Sequence, residues 1–156
     1  MEKNMNMQQR SYRKFGLMLA VSYIVMQAVM YLNVDQFSHV YIGLTRLYMT
    51  ILMVAPMALI MLAFMGSMYK NRRTNGLIIG ASIVTFIGVF ILLRTQTFVN
   101  DEQYMKAMIP HHSSAIMVSR AAALKDPELR KLATGIIESQ EREIAEMKAI
   151  LARMNK

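Results

Sequence analysis

Two histidines, two methionines and a proline fall within the eight residues Met105-Lys-Ala-Met-Ile-Pro-His-His112. An α-helix turns about 100° per residue, so measured from His112, Met108 lies at roughly −40°, Met105 at roughly +20° and His111 about 100° away. One imidazole and two thioethers therefore share a face, with a second imidazole on its flank. Thioether sulfur with imidazole nitrogen is a soft donor set that suits Cu(I), while imidazole with carboxylate could hold Cu(II) or zinc. Methionine at helical spacing also makes ordinary core. The choice between site and core depends on the elements that carry these residues.

Asn100 or Asp101 can cap a helix, with Glu102 in its first turn, where the helix dipole favours an anion. Met105, Met108, Ile109, Ala115, Ile116, Ala122 and Ala123 keep helical spacing to about Lys125. Pro110 lies well inside; it either bends this helix or starts a regular one at His111. Asp126-Pro127-Glu128 is a restart signal that combines a cap, a proline at the first helical position and an acidic first turn. Leu129, Leu132, Ala133, Ile136, Ile144, Met147 and Leu151 mark one face of the helix that follows. Two helices of about 25 residues with a turn near Asp126 predict an antiparallel helical hairpin. If the partners are equidistant from the turn, His112 meets Gln140, Met105 meets Met147, and Met108 meets Ile144 with Glu143 alongside. Gln140 is a polar residue in the middle of an apolar face, and it needs a partner there. The candidate metal ligands are thus Met105, Met108, His112 and Met147, with His111 additional or alternative and Gln140 and Glu143 beside them.

The rest of the 156-residue chain is strongly apolar: 54% of residues are hydrophobic, 18% are charged, and the two classes are segregated. Residues 1–14 are polar and basic. Apolar runs follow over 15–32, 47–69 and 76–93, each long enough to cross a hydrocarbon core of about 30 Å. The first run is too long for a signal-peptide core, and no small-x-small cleavage pattern follows it, so an uncleaved span is expected. The N-terminus carries Lys3, Arg10, Arg13 and Lys14, the 70–75 loop carries Lys70, Arg72 and Arg73, and the 33–46 loop carries Arg46 alone. The positive-inside rule then puts the N-terminus and the 70–75 loop in the cytoplasm and residues 94–156 outside, which is the periplasm in a bacterium. The net charge of +8 comes from these flanks and not from a nucleic-acid footprint. With no cysteine, thiolate metal sites and disulfides are excluded.

Other constellations carry less chemistry. Met49, Met53, Met57, Met61 and Met65 recur every four residues, but the row drifts roughly 160° around its helix and reads as apolar filling. Met117 sits about 140° from His112, away from the cluster. His39 could join a metal site but reads more simply as a solvated loop histidine. Ser113 and Ser114 follow the histidines with no acid placed to complete a hydrolytic triad, and the Glu-x-x-His motifs of di-iron sites are absent. The spans lack the buried ionisable residues that mark an ion path. No catalytic residue is assigned.

Asp101-x-x-Tyr104-Met105, Met-Ile-Pro-His-His112, Ala115-Ile116, Asp126-x-Glu128-Leu129 and Ile136-Ile137-x-x-Gln140-x-x-Glu143-Ile144-x-x-Met147 together resemble the bacterial domain of unknown function 305 over about residues 98–153. The resemblance implies a ferritin-like helical fold, membrane helices ahead of the domain in some members, and copper binding in the periplasm in others. Met108, His111, His112, Gln140, Glu143 and Met147 match the family pattern.

The expected protein is all-α: a cytoplasmic segment (1–14), three transmembrane helices (15–94) and an outward-facing ferritin-like antiparallel helical hairpin (98–156). One hairpin of this size encloses little core, so it is expected to pair with a second copy as a four-helix bundle or to pack on the membrane part. The expected function is copper (or silver) binding and buffering without catalysis, with zinc as a lesser candidate, at the outer face of a bacterial inner membrane. The partners are the metal ion, the bilayer and a second copy, not nucleic acid. The alternative is a non-catalytic assembly module whose Met/His seam is structural.

Overall fold

A computed structural model describes residues 2–154, with side chains from Gln8 onward, so the side chains of the first half of the 1–14 segment lie outside the described residues. All regular structure among the described residues is helical: α1 (Glu2–Val29), a 3-10 turn (Phe37–His39), α2 (Leu44–Phe64), α3 (Arg72–Thr95), α4 (Asp101–Ala121) and α5 (Pro127–Met154). The chain forms two compact units, one from residues 1–28 and 47–97 and one from residues 29–46 and 98–156.

The first unit is built on apolar contacts between α1, α2 and α3. Phe15, Ala58, Met61, Leu62 and Tyr69 are buried together, with Leu19 and Ile78 against them. The Phe15 ring meets Tyr69 edge-on, with centroids 5.2 Å apart. Tyr12 joins the same aromatic group at 5.3 Å. Its hydroxyl donates to Asn75 Oδ1 (2.7 Å) and accepts from the Asn71 backbone N–H (3.2 Å). Asn71 also caps α3, its side chain accepting from Thr74 N–H at 3.1 Å. Pro56 lies inside α2 without ending it. Met61 is buried while Met49 and Met53 are exposed, as the drift of that methionine row around the helix requires.

Two helices are long and apolar enough to cross a membrane: α2 over Leu44–Phe64 with mean hydropathy 2.3, and α3 over Arg72–Thr95 with mean hydropathy 2.6. Their outer surfaces are apolar as well; Phe64, Leu77 and Val84 are all more than 70% exposed. The 15–32 run lies on α1, whose N-terminal half is polar, and continues into a turn after Val29.

In the second unit α4 starts where the sequence predicts. Asn100 caps it by accepting from Gln103 N–H at 2.9 Å, and Asp101 and Glu102 occupy its first turn. Pro110 neither breaks nor restarts the helix, which runs unbroken from Asp101 to Ala121. Its missing N–H costs one backbone hydrogen bond, and its ring is fully buried instead. Residues 122–126 connect to α5, which Asp126 caps by accepting from Leu129 N–H at 2.8 Å. Met105, Ile109 and Ile116 from α4 bury against Ile144 and Leu151 from α5, with Tyr41, Ile137 and Met147 packed on them.

The 29–46 segment belongs to this second unit. Gly43 lies so close to α4 that a Cβ there would sit 3.3 Å from the Ala107 nitrogen, so a side chain would require the helix backbone or the segment to give by a few tenths of an ångström. Leu44 N–H, the first of α2, donates to Gln103 Oε1 at 3.0 Å, satisfying a group that the helix itself leaves free. The Arg46 guanidinium covers the Tyr31 ring, 4.5 Å from its centroid.

His39 corrects the sequence reading. Instead of a solvated loop histidine, it is 6% exposed, with Nδ1 2.9 Å from the Ser113 hydroxyl. Asp35 N–H donates to the same hydroxyl at 2.8 Å, which leaves the hydroxyl proton free to go to the ring. Asp35 also accepts from Arg120 (2.6 Å), and Arg120 reaches Glu141 on α5. Loop, α4 and α5 are thereby bound by one polar network.

Candidate metal centre

Each candidate ligand is positioned by the α4–α5 contact. His112 falls one turn after Met108 on the buried side of α4, and its Nδ1 lies 2.9 Å from the Met108 carbonyl oxygen. A carbonyl only accepts, so Nδ1 carries a proton and donates it. Nε2 then points across the seam to Glu143 Oε2 at 2.6 Å. That is a short contact, of the kind made when a hydrogen bond between ring nitrogen and carboxylate is charge-assisted. Glu143 Oε1 accepts from the Ser139 hydroxyl at 2.8 Å, one turn back on α5. The Ser139 bond, followed by that from His112, holds the Glu143 carboxyl below its ordinary value of 4.5.

The other candidates are dispersed around this pair. Met105 is buried and Met147 half-buried, both within the apolar α4–α5 core. Met108 is half-buried. His111 is exposed, its ring centroid 6.1 Å from that of His112 and nearly perpendicular to it, so the adjacent histidines face different surroundings. Gln140 is not the partner of His112. It is half-buried and borders an open groove on α5 with Leu132, Gly135, Ile136 and Ser139. The symmetric register fails because α4 stops at Ala121 and residues 122–126 run as a non-helical connector, which shifts α5 by almost one turn. Among the described residues, no three histidine or carboxylate side chains gather at one point.

Sequence reasoning overlooked Ser139 and the His39–Ser113–Asp35 group. Ser139 was discoverable, since it lies four residues before Glu143 and so on the same helical face. The His39 contact spans 74 residues and left no periodic signal.

Acidification is expected to loosen this unit through both groups. Burial first, and then the charge of Lys148, hold His39 below its ordinary value of 6.5, against a smaller opposing effect of Asp35. The unfolded chain therefore takes up a proton below about pH 6.5 that the folded chain refuses, and stability falls until the lower folded value is passed. Glu143 acts in the same direction further down. Its carboxylate stays ionised in the folded state after the unfolded one has protonated, and that stabilisation is lost as pH falls through the depressed value. A fluorophore at Glu146→Cys, unique because the chain has no cysteine, reports melting of α5. The expected melting temperature is lower at about pH 5 than at about pH 7.5.

Residues 92–151 match the domain of unknown function 305. An uncharacterised protein of Acanthamoeba polyphaga mimivirus is 38% identical over 138 residues, covering 86% of this chain and 89% of the viral protein. The chain belongs to the domain of unknown function 305 family. The matched span of that domain takes in α4 and all but the last turn of α5, and hence every candidate ligand from Met105 to Met147. His39 and Asp35 lie outside the domain match although they pack against α4. At 138 residues, the likeness to the viral protein is longer than the domain and so reaches into the apolar unit. No solved structure matches the chain.

Proposed function

We propose that this member of the domain of unknown function 305 family is a membrane-anchored metal-binding protein that holds and buffers copper, or silver, without catalysis. The observation that carries this reading is the His112–Glu143 pair, with Nε2 and Oε2 2.6 Å apart and Nδ1 fixed on the Met108 carbonyl. A ligating histidine typically has one nitrogen directed at the ion and the other donating to a carbonyl that sets the tautomer. On this reading an ion would replace the hydrogen bond between Nε2 and Glu143 as the two groups open around it, and Ser139 orients the carboxylate. Met108, Met105 and Met147 would supply the thioethers that favour Cu(I) over zinc, while His111 and Gln140 are available at the margins.

The anchor in this reading is a three-span unit with its N-terminus in the cytoplasm, and it carries the α4–α5 hairpin on the outer, periplasmic side of an inner membrane. The hydropathy of α2 and α3 and the apolar exposed surfaces of the first unit support it. So does the packing of α1 with both, around a cavity of about 190 Å³ lined by residues such as Leu19, Val54 and Ala81. A second copy would complete a ferritin-like bundle, since the outer face of α5 leaves Leu129, Leu132 and Ile136 exposed.

The competing reading is a structural seam in an assembly module, favoured by the placement of Met105 and Met147 among Ile109, Ile144 and Leu151. Copper titration of the full-length chain separates the two. The metal reading expects tight Cu(I) uptake with release of a proton, lost in a His112→Ala/Met108→Ala double variant. Unchanged affinity in that variant removes this site. Lower helicity or self-association with no metal effect selects the structural seam.

A further inference from the structure

The hydrogen bonds of Tyr12 to Asn71 and Asn75 have a consequence for charge. Arg10, Arg13 and Lys14 lie within two residues of Tyr12, and Lys70, Arg72 and Arg73 lie within two residues of Asn71. Six exposed cations therefore collect at one end of the first unit. That unit contains a single acidic residue, Glu2, so the charge has almost nothing within the unit to neutralise it. Tyr12 and Tyr69 lie at the same level, the position that amphipathic rings take at a membrane–water interface.

Below the cations, one stripe of α1 changes character. Arg10, Arg13, Lys14 and Leu17 fall at helical spacing and line one groove. The stripe continues through Val21 and Ile24, and Leu17, Val21 and Ile24 are 64%, 50% and 66% exposed. From Lys14 to Ile24 the helix rises about 15 Å, half of a hydrocarbon core of about 30 Å and so the depth of one leaflet. A cationic head above an apolar track of that length is complementary to one kind of molecule.

We propose that the α1 face from Arg10 to Ile24 binds an anionic phospholipid, with its phosphate against Arg10, Arg13 and Lys14 and an acyl chain along Leu17, Val21 and Ile24. The inference rests on the membrane-anchored reading above and adds a lipid preference to it. Attraction of this kind falls roughly fivefold for each cation removed and weakens as salt screens it.

The test uses the full-length chain in nanodiscs of phosphatidylcholine containing a minor share of phosphatidylglycerol, with retained lipids identified by native mass spectrometry. Phosphatidylglycerol is expected to be enriched on the wild type, to fall away in an Arg10→Gln/Arg13→Gln/Lys14→Gln variant, and to persist in Arg94→Gln at the far end of α3. Enrichment on the wild type is also expected to decline with added salt, which keeps the proposal testable if the triple variant misfolds. Retention of the two lipids in proportion to their shares in the bilayer overturns the lipid site while leaving the membrane reading in place. So does an enrichment that survives the triple substitution or is independent of salt. A wild type that does not enter these nanodiscs overturns both.

Discussion

Ile109→Ala is expected to destabilise the C-terminal unit by about 2–5 kcal/mol, the range for large-to-small changes at fully buried aliphatic positions. Ile109 has 0% exposure and lies in the α4–α5 core between Met105 and Ile116, within the Met108–Pro110–His112 stretch. The segment cannot collapse into the vacated space easily. Pro110 stiffens the backbone beside it, and His112 is held across the seam by Glu143. Ile109→Val removes a single methylene and is expected to cost about 0.5–1.5 kcal/mol. Thermal or denaturant melting read at a Glu146→Cys fluorophore measures both variants. Equal effects of Ala and Val would mean that α5 follows the cavity inward and that this core is not the rigid support described here.

If the chain binds copper as proposed, Glu143→Gln is expected to weaken that affinity by about tenfold or more, and Ser139→Ala by about tenfold. The first removes the carboxylate that faces Nε2, leaving a neutral amide that cannot replace the proton-releasing pair. The second leaves every donor in place and removes only the hydroxyl that orients Glu143. Met108→Leu separates the two chemistries of that residue. Its carbonyl still fixes His112 Nδ1, so a loss of Cu(I) affinity with zinc affinity unchanged identifies the thioether as a ligand. Isothermal titration of the full-length variants at constant pH, repeated in buffers of different ionisation heat, also counts the proton released. Affinities equal to wild type in Glu143→Gln and Ser139→Ala would take the pair out of the metal reading.

The helices were legible because their signals are local. Asn100 and Asp126 cap as their positions predict, and the apolar spacing around Met105, Ile109 and Ile116 gives the buried face of α4. The placement of His112 in the seam and His111 outside it follows from the same 100° step. Partner choice was less accessible, since it depends on where α4 stops and how residues 122–126 run. The symmetric register selected Gln140, and the structure selects Glu143, three residues on. The choice is physically reasonable, because a carboxylate shared with an imidazole forms a stronger bond than an amide does. The role of the 33–46 loop was not legible at all. Its polar residues look solvated in sequence, and only the fold shows Asp35 and His39 converging on Ser113.

That loop also sets an order of events during synthesis. Asn33, Asp35 and His39 find their partners on α4 at Ser114, Ser113 and Arg120, which follow in the chain 74 to 85 residues later. At ribosomal rates of about 5–20 residues per second, the loop waits on the order of ten seconds for them. In that interval α2 and α3 are made and the first unit can assemble, while His39 and Asp35 remain hydrated. The C-terminal unit therefore cannot close until the last two helices have emerged, and a chain ending before residue 98 leaves the loop with none of these partners.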